Sequence, residues 1–183
     1  MEFPDIYCEP VPGQLCQGDL FRSFDDDIFP EVNSDYKIFI ILTYTCDLAN
    51  PKGLQRILIS PVFQLNIIID QLQEKHGNKE PHKIQREIIK RIKELSEYRR
   101  PFFFFLSPRL EFSHKPAFID LTQISTISSE YQPKIITTRF AAIKSPWREK
   151  LGYMMGYMFN RVALEYEAST DDLRTYFFPP SDS

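Results

Sequence analysis

The stretch IFIILTYTCDLANP, residues 38–51, decides the fold class of this chain. Lys37 to Thr45 is β-branched and apolar, and its first half shows no polar alternation, so it reads as a strand buried on both faces. It is the best candidate for the central strand of a sheet. Its end poses a chemical question, because Cys46 stands beside Asp47 just before the Asn50-Pro51 stop.

The flanking segments carry the same β signal. EPVPGQ, residues 9–14, is a Pro/Gly entry segment, and LCQGDLFRSF, residues 15–24, reads as a short strand with Gly18-Asp19 marking a turn or bulge at its start. Asp25, Asp26, Asp27, Glu31 and Asp35 follow with no positive charge among them, the pattern of a solvated loop. After the NPKGLQ turn, RILISPV gives a strand from Arg56 to Ser60, ended by Pro61. Further strands are predicted over Phe102–Leu106, Ala117–Leu121 and Lys134–Ile143.

Residues 64–100 break this pattern. Ile84, Ile88, Ile92 and Leu95 recur every three or four positions, which predicts an amphipathic helix inside a helical insertion. Ser145-Pro146 is a good cap and first-turn pair, so a C-terminal helix is predicted over about 146–164. The predicted architecture is mainly β with helices, α+β in class, a small barrel carrying a helical insertion and a C-terminal helix.

A chain of 183 residues fits one domain, 1–183, able to bury roughly 70% of the surface its unfolded form exposes. Sixteen Phe and nine Tyr exceed ordinary usage and favour β structure with aromatic-rich surfaces. A net charge of -3 does not mark a nucleic-acid binder by itself, so the distribution of charge matters more than its sum. Cys8, Cys16 and Cys46 form no CxxC pair and no disulfide framework, and the expected compartment is a reducing cytoplasm. The N-terminal residues lack a basic region and an apolar core, and no segment approaches the ~18 apolar residues of a membrane span. No cofactor motif is present, and none is expected to bind.

Three constellations carry potential chemistry. A nucleophilic Cys46 needs a thiolate and a base within reach, but His76, His82 and His114 stand in no hydrolase-like context, and Asp47 would raise the thiol pKa. The structural reading is preferred: Cys46 packs as a small apolar group while Asp47 turns the chain. A zinc site from Cys8, Cys16, Cys46 and His114, or a magnesium site from Asp19, Asp47 and Asp120, is announced by no spacing, so no metal is expected.

The basic helix is more informative. Between residues 79 and 100, eight Lys and Arg stand against four Glu, with Tyr98 and Phe102–Phe105 close behind. Lys83, Arg86, Lys90 and Arg91, joined by Arg139, are candidate phosphate contacts beside stacking surfaces; the alternative is a solvated amphipathic helix leading into a buried strand. On the last predicted helix, Gly152 and Gly156 share a face with Phe159 nearby, which suits close packing on the domain's own sheet or a dimer seam.

The order of the pieces QGDLF, IFIILTYTCDL, RILISPV and FIDLTQISTIS resembles the MazF/PemK toxin barrel, over about half the chain. That resemblance implies an SH3-like β-barrel that forms homodimers and an RNA-cleaving activity neutralised by an antitoxin. The departures fall on the functional positions. Thr122 stands where the family's strand has an aspartate, Ser125 where it has an arginine, and Asp120 near the place of a catalytic arginine. An acid does not stabilise the charge of a phosphoryl transition state as an arginine does. Cys46, Asp47 and Asp120 are then the only weak catalytic candidates. The resemblance thus implies an RNA-directed protein of toxin-like descent that binds RNA or cleaves it in an altered way, in a toxin-antitoxin or phage-defence setting. Its partners would be RNA, a second copy or an antitoxin-like protein; the alternative is a non-catalytic module that dimerises or docks a partner protein.

Overall fold

The computed structural model describes residues 3–24, 37–50, 53–76 and 81–164, the side chains at 71, 76 and 160–164 excepted; the acidic segment 25–35 lies outside them. In chain order the elements are β1 (Tyr7–Cys8), β2 (Asp19–Arg22), β3 (Ile38–Ile41), α1 (Thr45–Ala49), β4 (Arg56–Gln64), α2 (Asn66–His76) and α3 (Pro81–Ser96). They continue as β5 (Phe103–Arg109), β6 (Lys115–Asp120), β7 (Ser125–Ser128), α4 (Gln132–Thr138), β8 (Arg139–Ile143) and α5 (Trp147–Leu164). The class is mixed α+β, with an antiparallel sheet of order β1-β8-β2-β3-β4-β6-β5, β7 also pairing β4, curled into a half-barrel. α2 and α3 lie within residues 64–100, and α5 is the last helix of the described residues.

β4 organises the sheet. One edge pairs β3, Ile41 opposite Ile59 and Phe39 opposite Pro61. Its other edge pairs β7 through Arg56–Ile59 and β6 through Val62–Gln64. Pro61 was expected to end this strand and does not. Its missing N–H falls at the changeover from β7 to β6, where that edge carries no ladder pairing.

Strict alternation assigns the apolar side chains to two faces. Leu20, Ile40, Val62, Phe104 and Ile119 point to one face, which α5 covers with Leu151, Met154 and Met155. On the opposite face, Phe21, Phe39, Ile41, Ile57 and Ile59 pack with Leu48 of α1 and Ile135 of α4. Farther along that face Phe63, Phe105 and Phe118 pack under Leu95 of α3. Phe39, Ile40 and Ile41 are all fully buried, as a strand covered on both faces requires.

Two segments differ from expectation. β3 stops at Ile41, short of the expected end at Thr45, and the turn expected at Cys46-Asp47 is the short helix Thr45–Ala49. KIITTRFAAI is also not one strand: Gln132–Thr138 is helix α4 and only Arg139–Ile143 is extended. Its β-branched residues favour strand locally, but Pro133 sits in the first turn of α4, and a helix there buries Ile135 in the core.

Helix α3 closes with a Schellman arrangement, in which the Tyr98 N–H donates to Leu95 O and the Arg99 N–H to Glu94 O. Tyr98 takes the left-handed position usually given to glycine, with φ of 55°. Its ring stacks on Trp147 at 5.5 Å and its hydroxyl donates to Phe105 O at 3.1 Å, so one residue ties the insertion to β5 and α5.

Candidate functional site

Cys46 and Asp47 sit in the first turn of α1, both exposed, with the Cys46 thiol 3.7 Å from Asp47 Oδ1. The expectation that Cys46 packs as a buried apolar group is therefore corrected: in the short helix Leu48 is the residue that turns inward. The threonines before it are structural. Thr43 Oγ1 accepts from the Leu58 N–H at 2.7 Å, extending the β3–β4 contact by a side chain, and Thr45 Oγ1 accepts from the Gln17 N–H at 3.1 Å. Gln17 Nε2 in turn donates to Leu42 O at 2.8 Å. Among the described residues no group of three His, Cys, Asp or Glu side chains is placed to hold a metal ion.

Arg139, expected among the phosphate contacts, is turned into the interior. Its Nη1 donates to Asp19 Oδ2 at 2.7 Å, and its guanidinium also donates to the carbonyls of Gln14 and Val11. Asp19 Oδ2 accepts the Cys16 N–H as well, at 3.0 Å, while Oδ1 is buried with no hydrogen-bond partner among the described residues. Burial pushes the Asp19 carboxyl above its ordinary range, opposed by the Cys16 amide and by Arg139. Burial, then the Asp19 charge, also raises the Cys16 thiol, which disfavours the reactive thiolate there. Together these contacts fasten the Pro/Gly entry segment to β2 and β8.

A cleft of about 380 Å³ opens between the insertion and the sheet. Its floor is aromatic: Phe63 and Phe118 stack at 5.3 Å between ring centroids, and Phe103 tilts onto Phe118 at 5.7 Å. α2 contributes Ile67 and Ile68. Arg91 of α3 and Arg100 beyond its end supply positive charge, and Asp120 with Gln123 supplies a polar wall. Arg100 Nε and Nη2 both donate to Glu94 Oε2, at 3.0 and 2.9 Å, and Arg91 Nη1 lies 3.7 Å from the same oxygen. Asp120 Oδ1 accepts from the Thr122 N–H and hydroxyl at 2.9 and 2.6 Å, and Oδ2 from Gln123 Nε2 at 3.2 Å, closing the turn from β6 to β7.

Of the residues singled out in the sequence, the cleft brings together Arg91 and Asp120; neither Cys46 nor Asp47 lines it. Lys83, Arg86 and Lys90 are exposed on α3, and their spacing puts them on one face of it. Phe103 belongs to the aromatic run already read as a stacking surface, whereas Phe63, Phe118 and the Glu94 clamp were missed. Period-2 alternation in the phenylalanine run places Phe103 and Phe105 on the face opposite Phe104, a signal present in the sequence. The convergence of Glu94 and Arg100 depends on the Schellman turn at Tyr98, which the residue type does not announce.

The glycine pair on α5 divides. A Cβ on Gly152 would stand 3.4 Å from Gln17 Oε1 and 3.6 Å from Tyr44 Cε1, so this glycine packs on the chain's own loops; one on Gly156 would meet nothing within 4 Å among the described residues. Tyr153, Tyr157 and Phe159 are exposed nearby on α5, by 75%, 43% and 49%. No helix among the described residues is long and apolar enough to cross a membrane. No known protein family matches the chain and no curated protein matches it significantly, so the functional reading stands on this geometry.

Proposed function

We propose that this protein binds single-stranded RNA along α3 and the cleft beneath it, on a barrel of SH3-like, MazF/PemK-like descent, without the cleavage chemistry of that family. The carrying observation is the meeting of an aromatic floor with two arginines under a helix whose exposed face bears Lys83, Arg86 and Lys90. Cations meet the backbone and rings meet the bases, the two components of strand-tracking recognition. The curled antiparallel sheet supports the descent in class, and the resemblance supplies the preference for RNA. Asp120, near the place of the family's catalytic arginine, is engaged by Thr122 and Gln123 and bears the wrong charge for transition-state stabilisation.

The test is a fluorescence-anisotropy titration with a short labelled single-stranded RNA over a range of salt. Binding should weaken with salt, and replacing Lys83, Arg86 and Lys90 together by alanine should lower the log–log slope by roughly 2, about 0.7 per lost phosphate contact. Absent or salt-insensitive binding overturns the reading, and RNA fragments on a denaturing gel would overturn its non-cleaving part.

A second reading, a non-catalytic module that pairs with a second copy, is favoured by the exposed Tyr153, Tyr157 and Phe159 beside the open Gly156. Light scattering across a concentration series decides it: a dimer lost in Gly156→Leu supports the seam, and a monomer at every concentration removes it.

A further inference from the structure

We infer that the cleft under the α2–α3 hairpin is a single-nucleotide site, with the base against Phe103 and the phosphate between Arg91 and Arg100, and that Glu94 occupies the phosphate position in the unbound protein. This deepens the RNA reading and rests on it for the source of the nucleotide.

A volume of about 380 Å³ falls in the range of small-ligand pockets. Phe63 and Phe118 are buried in the floor, so the half-buried Phe103 is the ring that presents a face to a ligand. A nucleobase offers a flat partner to that face, and such stacking tolerates any base.

The lip of the cleft carries the sharper signal. One carboxylate oxygen, Glu94 Oε2, gathers two N–H groups of Arg100 and approaches Arg91 as well. Two guanidinium groups around one carboxylate leave an excess of positive charge and donors beyond what that oxygen can take. The terminal phosphate of a nucleotide or strand presents three oxygens and up to two negative charges, and an internal phosphodiester two oxygens and one, so either can engage both arginine forks. Glu94 is thus an internal competitor that a phosphate must displace. Asp120 on the polar wall repels phosphate from that side and fixes the direction in which a nucleotide lies.

Isothermal titration of the 183-residue chain with adenosine 5′-monophosphate, with inorganic phosphate and with a short single-stranded RNA tests this. Glu94→Gln keeps the side-chain volume and removes the competing charge, and it should tighten both adenosine 5′-monophosphate and inorganic phosphate about tenfold. Arg100→Ala should weaken both by tenfold or more. Phe103→Leu should weaken the mononucleotide several-fold and leave inorganic phosphate unchanged, which separates the base from the anion. Thermal melts confirm that each variant is folded, and should Glu94→Gln not fold, Phe103→Leu and the unmodified chain still decide the matter. Competition identifies the source: mononucleotide that displaces the RNA marks one shared site. An unchanged or weaker phosphate affinity in Glu94→Gln, or equal losses for both small ligands in Phe103→Leu, overturns the inference. RNA binding that stays at full strength in Phe103→Leu and Glu94→Gln overturns the cleft site and cuts the RNA reading back to the exposed face of α3. Mononucleotide binding without any RNA binding does the reverse.

Discussion

Arg139 and Asp19 form a buried ion pair, Nη1 to Oδ2 at 2.7 Å, with side chains 5% and 0% exposed. Removing one partner of such a pair leaves the other charge buried and uncompensated, at a cost of about 3–5 kcal/mol. Arg139→Ala also strips donors from the Gln14 and Val11 carbonyls, so the entry segment loses its fastening. Urea unfolding should register a loss of that size. The RNA affinity of the folded fraction should stay within about twofold of the unmodified chain, which separates Arg139 from the charges on α3.

The same pair sets a pH dependence whose sign is opposite to that of an ordinary surface carboxylate. Burial raises the folded-state pKa of Asp19, while in the unfolded chain an aspartate titrates near 3.9. The folded protein therefore holds this proton to higher pH. Its contribution to stability is full below the unfolded value and is lost as pH rises through the folded one. The stability of the unmodified chain minus that of Asp19→Asn, from urea titrations at stepped pH, should decline across the window just above about pH 4. A difference that rises with pH would show the Arg139 attraction outweighing burial.

Glycine is the usual residue at the left-handed position that Tyr98 takes, and a non-glycine there costs about 1–2 kcal/mol. The ring returns more than that. It stacks on Trp147, tilts against Phe104 at 5.2 Å and carries Lys150 Nζ 3.8 Å from its centroid. Burying a large apolar side chain contributes about 1.5–3 kcal/mol, and the hydroxyl bond to Phe105 O adds about 1 kcal/mol. Tyr98→Gly should therefore destabilise by about 1–2 kcal/mol despite relieving the backbone, and Tyr98→Ala, which keeps the strain and loses the ring, by more. Denaturant melts of the two variants check the order.

The sequence was legible where one physical cause dominated. The apolar run of β3 and the 3.6-residue period of α3 each reflect a local pattern, and those elements stand at or near their expected places; α5 starts at Trp147, after the Ser145-Pro146 pair read as its cap and first turn. It was not legible where tertiary context overrode propensity. α4 is helical in a β-branched segment because Ile135 completes the core, and β4 runs through Pro61 because a change of partner there spares the missing donor. For the cleft, the basic character of α3 was visible in the sequence, and Arg91 and Phe103 both line it. Its partners Glu94 and Arg100 stand six residues apart, joined across the turn at Tyr98, which is no helix-face spacing. Arg139 misled for the complementary reason: a charge in a strand reads as exposed until its buried partner, Asp19, is found 120 positions away.

The two glycines of α5 should respond to substitution in opposite directions. Each costs a helix interior up to about 1 kcal/mol relative to alanine, so Gly156→Ala, which would meet nothing within 4 Å, should stabilise by about 0.5–1 kcal/mol and raise Tm by a few degrees, about 2–4 °C per kcal/mol for a chain of this size. Gly152→Ala gains the same propensity but brings its methyl to 3.4 Å from Gln17 Oε1, so its net change should be near zero. Gly152→Leu cannot avoid displacing Gln17 or Tyr44. Displacing Gln17 breaks its bond to Leu42 O, a buried contact that holds the chain leaving β3, and leaves the carbonyl unsatisfied at about 1–3 kcal/mol. Calorimetric melts should thus rank the variants Gly156→Ala above the unmodified chain and Gly152→Leu well below it. Gly156→Leu should melt close to the unmodified monomer, because open space receives its side chain. Any change it makes in light scattering then reports on association and not on folding.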